Sequence, residues 1–183
     1  MGVLPAEPFL FPYDLLTSPH GSDEQRWWAL HTRPRAEKAL ARQLRSRSVP
    51  FFLPLHERRR ILQRRLVRSF LPLFPSYLFV RGTDEDRVES LKSNMVVQCL
   101  PVADQERLED SLRRVYGLME SGAPLAPEER LQPGMQAEIV SGPLAGYRGT
   151  VVRNGSKLRF VIEVNFLQRG ASVEVDSAMI RPA

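Results

Sequence analysis

Cysteine is all but missing from this 183-residue chain: Cys99 stands alone. That excludes an intramolecular disulfide and a cysteine cage for a metal, and it suits a reducing compartment. Histidine is scarce too, and His20, His31 and His56 are scattered, with no pair at metal-ligand spacing and no acidic cluster beside any of them. No stretch approaches the roughly 18 to 20 apolar residues of a membrane helix, because Arg, Glu, Gln or Pro interrupts every candidate, so no membrane protein is expected. The opening MGVLPAEPFLFPYDLLTSPHGSDEQ has no basic leader region and carries acids and prolines instead, so a cytoplasmic location is expected. A phosphate-cradling loop is missing as well: GPLAGYRG resembles one in composition but lacks the Gly-Lys-Ser/Thr ending. Glu85, Asp86 and Glu89 alternate with Arg87 and Lys92 on an expected helix and read as a solvated face, not as a general acid/base pair. Cys99 has no histidine nearby in sequence to activate it. No enzyme, no cofactor and no metal are expected.

What the chain does have is positive charge, concentrated in one place. The net charge is only +5, yet residues 26–82 hold thirteen Arg and one Lys against two Glu, while residues 1–25 hold four acids and no base. Such a block attracts polyanions, and the arginine fork suits phosphate. Six of those arginines fall within ERRRILQRRLVRS, residues 57–69, and they cannot all be buried, so an exposed hairpin or loop is expected there.

Periodicity sets out an α+β organisation. Residues 1–25 show neither helical nor strand period and read as a loosely ordered extension. From Arg26 the pattern predicts a strand over 27–31, a helix from Pro34 to about Ser48, and extended segments over 51–56 and 70–80. A helix over 84–93, a strand over 95–100 and a helix from Asp104 to about Leu118 follow. This is a β-α-β-β-α-β order with an added helix, a mainly antiparallel sheet flanked by helices. ESGAPLAPEERLQP, residues 120–133, reads as a linker. After it, five short strands over 137–140, 147–153, 158–164, 172–175 and 179–181 suggest a small barrel. The domains are thus expected at 26–119 and 134–183.

Trp27 and Trp28 stand together on one strand, so their side chains must take opposite faces. SFLPLFPSYLFVRG holds Phe70, Phe74, Tyr77 and Phe79, with Pro72 and Pro75 confining the segment to an edge, bulge or turn. These rings fit either a groove for a partner's helix or ordinary sheet core.

WWALHTRPRAEKALARQL, FFLPL, the basic stretch and PLFPSYLFVRG, in that order, closely resemble the N-terminal domain of NusG-type transcription factors. There a Trp-aromatic strand, a His-Thr-x-Pro-x-x-Glu helix start and a Leu-Phe-Pro-Gly-Tyr-x-Phe-Val strand recur. GMQAEIVSGPLAGYRGTVV resembles the KOW motif in Gly134, Gly142, Gly146, Gly149, Pro143, Ile139, Val140 and Val151. Together the two cover residues 26–182. Ser76 departs from the pattern, standing where Gly is usual, and Trp28 stands where Tyr is common. The dense arginine insert looks like the specialised RfaH-like and UpxY-like antiterminators of the family, with a general NusG as the other possibility.

The resemblance implies a monomeric, non-enzymatic elongation and antitermination factor with an N-terminal α/β sandwich and an SH3-like KOW barrel of five strands. It implies that the first domain packs on the β′ clamp helices of RNA polymerase through Trp28, His31, Phe74, Pro75, Tyr77 and Phe79. The barrel would dock on a small-subunit ribosomal protein or the termination factor Rho through Leu144, Tyr147, Phe166, Leu167 and Arg169. Arg33, Arg35, Arg58, Arg59, Arg60, Arg64, Arg65 and Arg68 would lie near upstream or non-template DNA. A ribosome-associated KOW protein that binds RNA is the alternative.

Overall fold

A computed structural model describes residues 7–18, 22–128, 133–164 and 167–183. The chain divides into two compact units, one made of Met1–Pro54 with Pro75–Gln105, the other of Leu55–Phe74 with Glu106–Ala183.

The first unit is built on a five-stranded sheet in the order β1-β3-β6-β2-β7, every pairing antiparallel. Its strands are β1 (Leu10–Phe11), β2 (Arg26–Thr32), β3 (Phe51–Phe52), β6 (Tyr77–Gly82) and β7 (Val96–Pro101). The central β2 and β6 are nearly continuous apolar runs, and Trp27, Ala29, Leu30, Leu78, Phe79 and Val80 are all buried. Trp27 is sealed while Trp28, which alternation sets on the opposite face, is half-exposed. Where β7 stops short, the Gln105 side chain takes over the edge: it accepts from the Trp27 amide at 2.6 Å and donates to the Trp27 carbonyl at 3.0 Å.

Helix α1 (Glu37–Ser46) begins later than its sequence start signal and buries Leu40, Ala41 and Leu44. It stops in a Schellman arrangement. Ser48 turns left-handed at φ 57°, its amide bonds to the Arg45 carbonyl, and the Val49 amide reaches the Leu44 carbonyl at 3.0 Å. Val49 is itself buried, and Pro50 follows, so the chain leaves extended into β3. Helix α2 (Asp84–Leu91) opens on a capping box: the Thr83 hydroxyl accepts from the Asp86 amide, and the Asp86 carboxylate accepts from the Thr83 amide at 2.9 Å.

The second unit contains the hairpin of β4 (Leu55–Leu62) and β5 (Arg65–Pro72), helix α3 (Gln105–Glu120, whose first residue belongs to the other unit) and a six-stranded antiparallel sheet. That sheet runs β13-β9-β10-β11-β12-β8, with β8 (Leu125–Glu128), β9 (Met135–Ile139), β10 (Arg148–Asn154), β11 (Lys157–Val164), β12 (Arg169–Val175) and β13 (Ile180–Pro182). Its core is Ala137, Ile139, Phe160, Ile162, Val164, Ala171 and Val173. The turn between β9 and β10 needs Gly142 and Gly146, which take φ of 84° and 89°.

Two stretches differ from the sequence reading. Residues 125–128, read as linker, form β8 along the outer edge of β12, with six strands instead of five; an edge is where Pro127 is tolerated, since it has no amide to donate. In the stretch read as a loose extension, Leu10 and Phe11 pair with Phe52 and Phe51, and Leu15 and Leu16 are buried. Residues 129–132 of the expected linker lie outside the described residues. Among the described residues no helix is long and apolar enough to cross a membrane.

Candidate functional site

Antiparallel pairing of β2 with β6 sets Trp27 opposite Arg81, Ala29 opposite Phe79 and His31 opposite Tyr77, so these six share one face of the sheet. At the end of that face the His31 and Tyr77 rings stack, with centroids 5.2 Å apart and planes inclined by 28°. Both residues are half-exposed and Pro75 beside them is exposed.

The turn carrying Pro75 and Ser76 is fixed from two sides. The Thr32 amide donates to the Ser76 carbonyl at 2.8 Å, and the Ser76 amide donates to Glu37 Oε1 at 2.7 Å. Ser76 has φ 66°, so the left-handed conformation for which glycine is suited is kept here with a serine. Glu37 is 5% exposed and was not singled out as a site residue. Its signal was the His-Thr-x-Pro-x-x-Glu spacing, which puts a carboxylate in the first turn of α1.

Six residues were expected to face polymerase, and the structure separates them. Phe74 and Phe79 are 1% and 0% exposed and present no surface. The reason for Phe79 is its register: small Ala29 lies on one side of it and Phe52 on the other, which makes room for a ring in the sheet core. Trp28 lies on the opposite face from His31 and Tyr77, one strand position out of phase with them. There two guanidinium groups lie over its indole, Arg87 of α2 at 5.2 Å and Arg26 at 5.9 Å from the ring centroid. Its indole N–H is buried without a hydrogen-bond partner. The surface that remains around the turn is His31, Pro75 and Tyr77, with Arg33 and Arg35 exposed just beyond β2.

The basic stretch is the β4–β5 hairpin, paired from Leu55 with Pro72 out to Leu62 with Arg65. Every residue from Arg58 to Arg68 is exposed. Gln63 and Arg64 close it with φ of 48° and 62°, the double positive φ of a type I′ turn, whose twist matches that of the strands. Glu57 forms ion pairs with Arg59 at 3.0 Å and Arg68 at 3.4 Å, and the Arg59 contact in particular holds its carboxyl below the usual carboxylate range. Arg58, Arg60, Arg64 and Arg65 have no ion pair with any described residue.

In the turn between β9 and β10, Leu144 is buried and Tyr147 is half-exposed, its hydroxyl lying against Gly117 of α3 so closely that a Cβ there would stand 1.9 Å from it. Leu167 and Arg169 are half-exposed at the entry to β12. Phe166 and His20 lie outside the described residues. Among the described residues no three His, Cys, Asp or Glu side chains gather as a metal site would need. Burial pushes the Cys99 thiol up, away from the thiolate form, and pushes His56 down.

A family profile described as "Transcription termination factor nusG" matches residues 25–131. Among solved structures, one described as "Domain interaction in Thermotoga maritima NusG" is similar over 88% of this chain and 99% of its own, with 19% identity and a TM-score of 0.52, a likeness of fold. Another, "Crystal Structure of MjSpt4:Spt5 complex conformation B", is similar over 86% of this chain and 96% of its own, with 16% identity and a TM-score of 0.30. No curated protein matches the chain.

Proposed function

Because the chain belongs to the NusG family of transcription elongation and antitermination factors, which are not enzymes, we propose that it binds RNA polymerase through the surface of His31, Pro75 and Tyr77. The observation that carries this reading is the stacked, half-exposed His31–Tyr77 pair at the end of an otherwise buried sheet face. Stacking fixes both rings before a partner arrives, so little side-chain freedom is left to lose on docking. Rigid aromatic side chains of this kind are common anchors of interfaces. The partner element is a helix of the polymerase clamp. Phe79, buried on the same sheet face, backs the patch from inside the first unit, and Trp28, on the other face, stands outside it.

The factor acts by differential binding, holding the closed clamp better than the open one and so opposing the opening that accompanies pausing. The exposed arginines, among them Arg33, Arg35 and those of the hairpin, add contacts to nearby DNA. The second unit recruits a small-subunit ribosomal protein or Rho through Tyr147, Leu167 and Arg169. The place of action is the cytoplasm.

The test is affinity for core RNA polymerase free of nucleic acid. Tyr77→Ala and His31→Ala, each confirmed as folded by circular dichroism, should bind at least about 30-fold more weakly, the scale of a hot-spot truncation. Binding equal to that of the unaltered protein would remove the patch from the interface.

A further inference from the structure

The β4–β5 hairpin has two chemically different faces, and its register says which residues belong to each. Residues 57, 59 and 61 share one face with residues 66, 68 and 70, and residues 58, 60 and 62 share the other with 65, 67 and 69. On the first face the two arginines, Arg59 and Arg68, stand directly opposite one another, and Glu57, two residues before Arg59 on the same strand, forms an ion pair with each. Their like charges would repel across the ladder without that carboxylate. On the second face Arg58, Arg60 and Arg65 have no carboxylate partner, and no acid stands among them. Arg64 occupies the turn and belongs to neither.

Resting on the nucleic-acid reading above, we infer that this second face, with Arg58, Arg60 and Arg65, is a docking surface for the phosphates of duplex DNA, and that Arg59 and Arg68, turned to the first face and paired there with Glu57, are kept from those phosphates. Charge decides the occupant. Three guanidinium groups on one side of a bare ribbon, without an internal counter-ion, are complementary to a polyanion. Shape narrows it to a duplex. A two-stranded ribbon is the element that a major groove about 12 Å wide admits, and eight-residue strands reach roughly 26 Å, long enough to follow a groove past several phosphates. The face also carries exposed Leu62 and Val67, apolar surface that a groove wall covers, whereas the ring in its register, His56 at the base of β4, is partly buried, so no exposed ring is offered to an unstacked base.

The withheld pair makes a specific and unusual demand. Removing an acid from a region of dense positive charge raises DNA affinity in general; here it should do so by freeing two named arginines.

The experiment uses the full-length protein and a fluorescent duplex of about 30 base pairs, with binding followed by anisotropy as salt is raised. Each phosphate contact contributes about 0.9 to the slope of log K against log salt. R58A/R60A/R65A should flatten that slope by about 2.7, three contacts' worth. R59A/R68A should leave it within about 0.5 of the unaltered protein, less than one contact. E57Q should steepen it, and E57Q combined with R59A/R68A should return it to the starting value, a reversal that general loss of negative charge does not give. Equal flattening by the two arginine sets would overturn the sorting while leaving nucleic-acid binding intact. A single strand of the same sequence bound more tightly than the duplex would overturn the choice of occupant. Absence of any salt-dependent binding would overturn this inference and the DNA contacts proposed above, but not the His31–Tyr77 attachment, which is measured without nucleic acid.

Discussion

The Ser76 amide donates to the Glu37 carboxylate over 2.7 Å, and this bond ties the Pro75–Ser76 turn to the first turn of α1. The same turn accepts the Thr32 amide through the Ser76 carbonyl, so the end of β2, the start of α1 and the start of β6 meet at one residue. His31 and Tyr77, adjacent to those two anchors, owe their stacked geometry to this junction. Its backbone is left-handed at a residue with a Cβ, which costs about 1 to 2 kcal/mol relative to glycine in that conformation.

Ser76→Gly therefore removes strain in the folded state but adds freedom to the unfolded one, about 0.4 to 1 kcal/mol in the other direction. The net expectation is a gain of about 0.5 kcal/mol or a little more, a rise in Tm of roughly 1 to 3 °C, with polymerase affinity unchanged because both anchoring bonds come from the backbone. Glu37→Ala works oppositely. It leaves the Ser76 amide without its acceptor, at a cost of about 1 to 3 kcal/mol, and it loosens the turn that holds Tyr77. Calorimetry on the two variants, with polymerase binding measured alongside, checks both signs.

How far the sequence announces this arrangement depends on the range of the contacts involved. Opposite faces for Trp27 and Trp28, the α1 and α2 helices and the exposed arginine segment all follow from local period and charge, and the structure has each of them. The burial of Phe79 does not follow from its own segment, because it depends on Ala29 and Phe52 arriving on either side from distant parts of the chain. Strand β8 escapes notice for a related reason: Pro124 and Pro127 punctuate it, and only pairing with β12 makes four residues into a strand. Leu15 and Leu16, in a stretch without period, are buried by tertiary contact alone. The split of His31 and Tyr77 from Trp28 was legible in principle from alternation. The family resemblance, which groups residues by motif and not by face, placed all three on one surface.

The hairpin turn holds a second departure from ordinary turn chemistry. A two-residue I′ connection favours Asn-Gly, since both central residues need positive φ, yet Gln63 and Arg64 fill it. An isolated two-stranded ribbon is marginally stable, so the turn has a large share in deciding how often the arm opens. Replacing the pair, Gln63→Asn with Arg64→Gly, should favour the closed ribbon by about 1 kcal/mol, roughly a fivefold shift in the opening equilibrium. Trypsin reads this directly. Cleavage after Arg58, Arg59 and Arg60, followed by mass spectrometry so that the lost site at residue 64 does not enter, should slow several-fold in the doubly substituted protein. An unchanged rate would mean that the turn does not control opening.

His56, opposite Leu71 near the base of the same hairpin, links the arm to pH. Partial burial disfavours the charged imidazolium and holds its pKa below the ordinary value of about 6.5. The unfolded chain therefore binds a proton more readily than the folded one between those two values, so stability rises with pH in that window. The contribution is fully present above about 6.5 and declines as the pH falls toward the folded-state value. His56→Gln has no proton to gain there, and its melting temperature should fall less between pH 7.5 and pH 5.0 than that of the unaltered protein, while carboxylate titrations affect both alike. Tryptic opening of the hairpin at the two pH values, corrected for the enzyme's own pH dependence with an unstructured peptide, locates the effect. If the arm opens no more readily at the lower pH while the rest of the molecule weakens, His56 is not its source, and the proton is taken up elsewhere.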